Sequence, residues 1–114
     1  MEKRAIGRFL RGSPQKARLV VNQIRGLSVE EALSILRFSR KRAAKSIERV
    51  LKSAIANTEY ADETIHLDDL HVSRAFVDMG PTKHRRRIRP APMGRAYREQ
   101  RHGCHITIYV SDNR

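Results

Sequence analysis

Three helical patterns followed by two strand patterns predict a mixed fold of helices and strands, with a long basic arm between the strands. Three observations carry this. Apolar residues recur at helical spacing through the first half of the chain. They alternate with a period of two near its end. Between the two strand patterns lies KHRRRIRPAPMGRAYREQR, residues 83–101, with eight Lys or Arg and a single acid, Glu99.

Ser13-Pro14 reads as an N-cap followed by a first-turn proline, which opens a helix without losing a needed donor. Ala17, Val20, Val21 and Ile24 then supply an inward face, and Gly26 is a natural stop. Ser28 with Glu31 forms a capping box opening a shorter helix, with Ala32, Leu33 and Leu36 inward. Ser39 is expected to cap a third helix running to about residue 58. Its apolar face is Ala43, Ala44, Ile47, Val50, Leu51, Ala54 and Ile55. Residues 59–70 are acidic and read as a loop with a short turn at Leu67–Leu70. HVSRAFVD, residues 71–78, suits a strand. Cys104, Ile106, Ile108 and Val110 alternate with His105, Thr107 and Tyr109, which gives a second strand one buried face.

The arm between them has no apolar face in either frame. Lys83, Arg85, Arg87 and Arg89 would line one side of a strand; His84, Arg86 and Ile88 would line the other. Such a segment cannot bury enough apolar surface to order itself. The flanking strands make it a hairpin, reaching on the order of 20 Å at ~3.3 Å per residue. Its arginines repel one another when free, and phosphates would relieve that. Pro90 and Pro92 cannot donate to a ladder, so the tip is expected to be irregular and stiff. Tyr97 reads either as a cross-strand packing residue or as a platform for an exposed base.

At 114 residues the chain is read as one domain, 1–114, with residues 80–101 forming most of the arm. A net charge of +12 points to a polyanionic partner. The charge is segregated: basic segments flank an acidic connector over residues 59–78. The single cysteine excludes an intrachain disulfide. No apolar run approaches transmembrane length, and no signal-peptide core is present. These readings favour a soluble intracellular protein without a membrane partner.

Free N–H groups at the helix opening at Ser13 suit a phosphate, with Arg8, Arg11, Lys16 and Arg18 around it. The bland alternative is a solvated first turn. On the third helix Arg42, Lys45, Arg49 and Lys52 form a basic stripe, against which stands a solvated face carrying a Glu48–Lys52 pair. Arg25 and Lys41 complete the basic residues of the helical half read as RNA contacts. Catalysis finds no support: Gly-rich phosphate loops, nucleophile elbows and two-His helix motifs are missing. His102, Cys104 and His105 lie close in sequence, yet adjacent strand residues face opposite sides, so no metal site or cofactor is expected. Cys104 reads as a small buried apolar residue.

The order Ser13-Pro14-Gln15-Lys16-Ala17-Arg18-Leu19-Val20, then Ile24-Arg25-Gly26, resembles the first helix of the universal large-subunit ribosomal protein family conventionally numbered twenty-two. The likeness continues through Glu31-Ala32, Ile35-Leu36, residues 50–57, Phe76-Val77-Asp78, Gly80-Pro81, Gly94-Arg95-Ala96 and His105-Ile106-Thr107. It implies an α+β fold, with three helices packed on a small three-stranded antiparallel sheet and a long protruding β-hairpin. It further implies a structural, non-enzymatic protein that bridges several domains of large-subunit rRNA. The body would lie near the exit of the nascent-peptide tunnel. The legs, with Lys83, Arg85 and Arg86 on one side and Arg95, Arg98 and Arg101 on the other, would grip rRNA. The tip, Arg87, Ile88, Arg89, Pro90, Ala91, Pro92 and Met93, would line the tunnel. Implied partners are rRNA, neighbouring ribosomal proteins and the passing nascent peptide, with no homo-oligomer. The implied location is the cytoplasm, in the ribosome, with an organellar ribosome left open. The chain departs from the usual bacterial pattern at Met79, at Cys104 and in a span between Gly80 and Gly94 about two residues longer.

Three rival classes make different expectations. A membrane-surface protein would carry a basic amphipathic helix with exposed bulky apolars, whereas the third helix has alanines and an acid. A free-standing nucleic-acid regulator would carry its charge on a recognition helix, whereas here the most basic element is a non-helical arm. An RNA-processing enzyme would depend on a histidine such as His84 or His105.

Overall fold

The alternating apolar residues near the C-terminus form the centre of the fold. The computed structural model describes residues 2–80, 86–90, 92–100 and 103–112, and of residues 86–89 and 97–100 only the backbone. In chain order these form β1 (Glu2–Arg11), α1 (Pro14–Ile24), α2 (Val29–Phe38), α3 (Ala43–Ala61), β2 (His71–Met79), β3 (Arg86–Pro90), β4 (Ala96–Gln100) and β5 (Gly103–Ser111). Short 3-10 turns lie at Leu67–Asp69 and Pro92–Gly94. The fold is α+β, with a three-stranded antiparallel sheet ordered β1-β5-β2 and a separate two-stranded ladder β3-β4.

Central β5 is buried along most of its length. Cys104, Ile106, Ile108 and Val110 meet a helical layer whose inward residues include Val20, Ile24, Leu36, Ile47 and Leu51. The predicted apolar faces of the three helices are the buried ones. Pro14 occupies the first turn of α1, and Gly26 follows that helix at φ 81, a conformation that costs glycine little. Ser28 accepts a bond from the Glu31 N–H at 3.4 Å, as its spacing predicts.

Two expectations are corrected, and the third strand of the implied sheet is located. Ser39 does not cap the third helix: it ends α2, and its hydroxyl accepts from the Lys41 N–H at 3.3 Å. Helix α3 begins at Ala43 with Arg42 at its N-cap, and it runs on to Ala61 into the predicted acidic loop. Strand β1, which residue patterning does not reveal, pairs with β5 from Glu2 to Arg11. Its core-side residues opposite Ile108, Ile106 and Cys104 are Ala5, Gly7 and Leu10, small at two of three positions. A Cβ on Gly7 would stand 2.7 Å from a Val50 methyl, so close packing of β1 on α3 requires that glycine. A bulge between Gly7 and Leu10 then shifts the register, with Phe9 at φ 57.

Both edges of the sheet are managed. On β1, Asn57 of α3 donates to the Arg4 carbonyl at 2.9 Å. On β2, the turn before α2 supplies a partial fourth strand. The Gly26 N–H donates to the Val72 carbonyl at 3.0 Å, and the Val72 N–H donates to the Leu27 carbonyl at 2.9 Å.

The arm leaves the sheet between β2 and β5 at a pair of glycines. The Gly80 N–H donates to the Gly103 carbonyl at 2.8 Å. A Cβ on Gly80 would meet backbone atoms of Gly103 and Cys104 at 3.0–3.2 Å, and backbone there cannot swing aside. Beyond this point β3 and β4 pair from Arg86↔Gln100 to Pro90↔Ala96. The arm explains a longest axis of 65 Å and a radius of gyration of 17.2 Å, against about 13 Å for a compact chain of this length.

Candidate nucleic-acid interface

The basic residues of the body fall into two groups, and bonding separates them. Arg18 lies in the middle of α1 and Arg25 is the residue that ends it, and both reach the edge of β2. The Arg18 guanidinium donates to the Val77 carbonyl at 3.1 and 3.3 Å. The Arg25 guanidinium donates to the Ala75 carbonyl at 2.7 and 3.1 Å and to Asn22 Oδ1 at 2.9 Å. These two side chains close the free edge of β2 beyond Val72. The sequence alone puts them among RNA contacts, because a charge count cannot show which cations are already engaged.

The second group is open. Arg11, Lys16, Lys41 and Arg42 line one cleft together with Ser13, Ala17, Leu19, Ala43, Ser46, Cys104 and Ile106. Its volume is about 530 Å³. Five segments converge here: the end of β1, the first turns of α1, the link before α3, the first turn of α3 and the start of β5. Ser13 stands at the N-cap without a side-chain capping bond. Burial pushes the Cys104 thiol above its usual range, so it stays neutral and serves as an apolar wall. Arg8 is exposed beside the bulge in β1, and Lys45 and Arg49 lie exposed along α3. Lys52 instead pairs with Glu48 at 3.1 Å, so the solvated-face reading holds for that end of the stripe.

Four of the acids collect elsewhere. Asp62, Asp68, Asp69 and Asp112 line a shallow depression with Thr64 and Ile65. Thr64 donates to the Asp62 carboxylate from its hydroxyl at 2.6 Å and its N–H at 3.0 Å. Those bonds hold that carboxyl below the ordinary range. Asp68 acts the opposite way on Glu30, raising its carboxyl through a shared hydrogen bond and like charge. Asp62 ends α3 and Arg42 begins it, so the acidic and basic groups are separated by a helix about 28 Å long at 1.5 Å per residue. Strand β5 runs the same way, from Cys104 at the cleft to Asp112 just beyond its end. The body is therefore polarised, and its basic pole is the end from which the arm departs.

On the arm, the register centres the reversal on Met93, at the C-terminal edge of the predicted tip. Arg86–Pro90 form a strand rather than an irregular apex. Met93 and Gly94 take positive φ values of 61 and 72, and Met93 is 95% exposed. Arg95 is exposed beside this turn. Tyr97 stands opposite Arg89 in the ladder. The predicted contacts Lys83, Arg85 and Arg101, the tip residue Ala91, and His84 and His102 lie outside the described residues.

His105 and Cys104 face opposite sides of β5, as alternation requires. His105 Nδ1 accepts from the Phe9 N–H at 3.1 Å, and the two rings meet edge to face with centroids 5.0 Å apart. Among the described residues, no group of three or more His, Cys, Asp or Glu is placed to hold a metal ion. No described helix is long and apolar enough to cross a membrane.

A small α+β body with a basic pole and a basic two-stranded arm defines a protein built to dock on a polyanion. The chain belongs to the ribosomal protein L22p/L17e family, which it matches over residues 5–111. It is 50% identical over 112 residues to the large ribosomal subunit protein uL22 of Solibacter usitatus (strain Ellin6076), an alignment covering 98% of this chain and 97% of that protein. The family is a structural, non-enzymatic class.

Proposed function

We propose that this ribosomal protein is a structural constituent of the large subunit that bridges rRNA segments through its basic pole and arm. One observation carries the reading: the open cations of the cleft and the root of the arm share one end of the body, while a cluster of four acids, Asp62, Asp68, Asp69 and Asp112, occupies the other. Segments of RNA repel one another across short distances, and cations fixed between them remove that repulsion. The acidic pole is repelled by the same phosphates, so the pair of poles sets the orientation of docking as well as its strength. Recognition rests on shape and backbone, because the major groove of A-form RNA is closed to side chains.

The family resemblance extends the reading to the peptide tunnel. The body lies near the tunnel exit, beside other large-subunit proteins. The arm runs inward, and its exposed turn at Pro92–Gly94 faces the nascent peptide. The elongated shape and the fully exposed Met93 support this placement. The ribosome it serves is a cytoplasmic one, a reading the family supports.

The test is incorporation. Arg85, Arg86 and Arg87 are replaced together by Gln, and the variant competes with the natural chain for assembly into large subunits. The expected result is depletion of the variant and easier release in salt, with the log–log slope falling by about 0.7–0.9 for each phosphate left unneutralised. Equal incorporation of both chains would falsify the role proposed for the arm.

A further inference from the structure

The basic cleft at the root of the arm has more apolar wall than phosphate binding requires. A site for phosphate alone needs cations and N–H donors at a surface. Here the four cations surround a recess of about 530 Å³, within the range of pockets that enclose small organic groups. Its floor is Ala17, Cys104 and Ile106, each no more than 2% exposed. Leu19, 52% exposed, forms part of its rim. Ser13 and Ser46 place two hydroxyls among these walls. Apolar floor, a few hydroxyls and a cationic rim together match a nucleotide: a flat base inside, its flanking phosphates outside.

We infer that this cleft takes an unpaired nucleotide of the bound RNA, with the base against Leu19 and Ala43, above the buried Cys104 and Ile106, and the adjoining phosphates on Arg11, Lys16, Lys41 and Arg42. The inference rests on the RNA-binding reading above and narrows it. An A-form helix cannot enter such a recess, whereas a base turned out of its stack can. The cleft therefore adds a preference for a bulged or looped nucleotide to a surface otherwise indifferent to sequence. The neutral thiol of Cys104 suits this role, since a thiolate would repel the phosphates drawn to the rim.

The experiment uses the full chain with two probes, a short oligoadenylate and an abasic ribose–phosphate strand of equal length. Methyl resonances of Ile106 and Leu19 are followed by NMR, and affinity is measured at several salt concentrations. The expected result is upfield ring-current shifts of both methyl groups with oligoadenylate only, and binding about tenfold tighter than for the abasic strand. Ser46→Phe, which fills the recess and leaves every charge in place, should abolish that preference and keep the salt slope. Equal binding of both probes with unmoved methyl groups overturns the inference and leaves phosphate binding intact. A preference that survives Ser46→Phe overturns it too, because the base then sits elsewhere. Failure of both probes to bind removes the RNA-binding reading itself. The measurement on the unsubstituted chain decides the matter even where the Phe variant folds poorly.

Discussion

The body and the arm are made from the same chain by opposite means. In the body, Ile106, Ile108 and Val110 of one strand meet three helices, and burial supplies the stability. In the arm, β3 and β4 pair with each other alone, and the described residues of the turn, from Pro92 to Arg95, are all exposed. An isolated two-stranded hairpin is marginal in water. If RNA holds the arm, as proposed above, body and arm can be changed independently, and only the arm should respond to RNA.

The largest expected effect tests this division directly. Ile108→Ala removes a fully buried side chain where sheet and helices meet. It should cost about 2–5 kcal/mol in denaturant unfolding. Replacing residues 82–100 with a short turn should change stability by less than about 1 kcal/mol, since little core is removed and a loop is shortened. An arm deletion as damaging as Ile108→Ala would show that the two regions are one cooperative unit.

The boundary between them is the next point of attack. Gly80→Ala places a methyl against the backbone of Gly103 and Cys104. Overpacking against backbone costs about 1–3 kcal/mol. Because the strain falls where the arm leaves the sheet, it should also misdirect the arm and lower incorporation into large subunits. Gly12→Ala is a useful contrast, because nothing lies near its added methyl and only the backbone at φ 127 is strained. If Gly80→Ala matched the natural chain in both unfolding and incorporation, the glycine pair would not be what aims the arm.

The helices are readable from residues because each carries its apolar stripe at helical spacing. Strand β5 is readable for the same reason, with a period of two. Strand β1 is not. Its core face is small where it crosses α3, and the bulge at Phe9 breaks the alternation before Leu10. The start of α3 is misleading because Ser39 has the right type and spacing for a cap, yet its hydroxyl is used by a local turn. The basic cleft cannot be read as a unit, since it joins residues from Arg11 to Ile106. Its cations can be named singly from the sequence; their convergence, and the apolar floor beneath them, are properties of the tertiary fold.

The arginines give the finest version of the comparison, because the same side chain serves both regions. Arg25 commits its guanidinium to the Ala75 carbonyl and to Asn22, whereas Arg95 is exposed beside the arm's turn. Arg25→Gln leaves an edge carbonyl to water and should cost about 1 kcal/mol, a charged hydrogen bond discounted for its partial exposure. Arg95→Gln should leave stability within about 0.5 kcal/mol. On RNA the order inverts: Arg95→Gln should lower the salt slope by about 0.7–0.9, and Arg25→Gln should leave it nearly unchanged. Unfolding and salt titration on the two variants thus separate a cation used to finish a sheet from one held in reserve for phosphate. If both variants show the same reduced slope, the Arg25 guanidinium exchanges its carbonyl for a phosphate on binding, and the edge of β2 opens when RNA arrives.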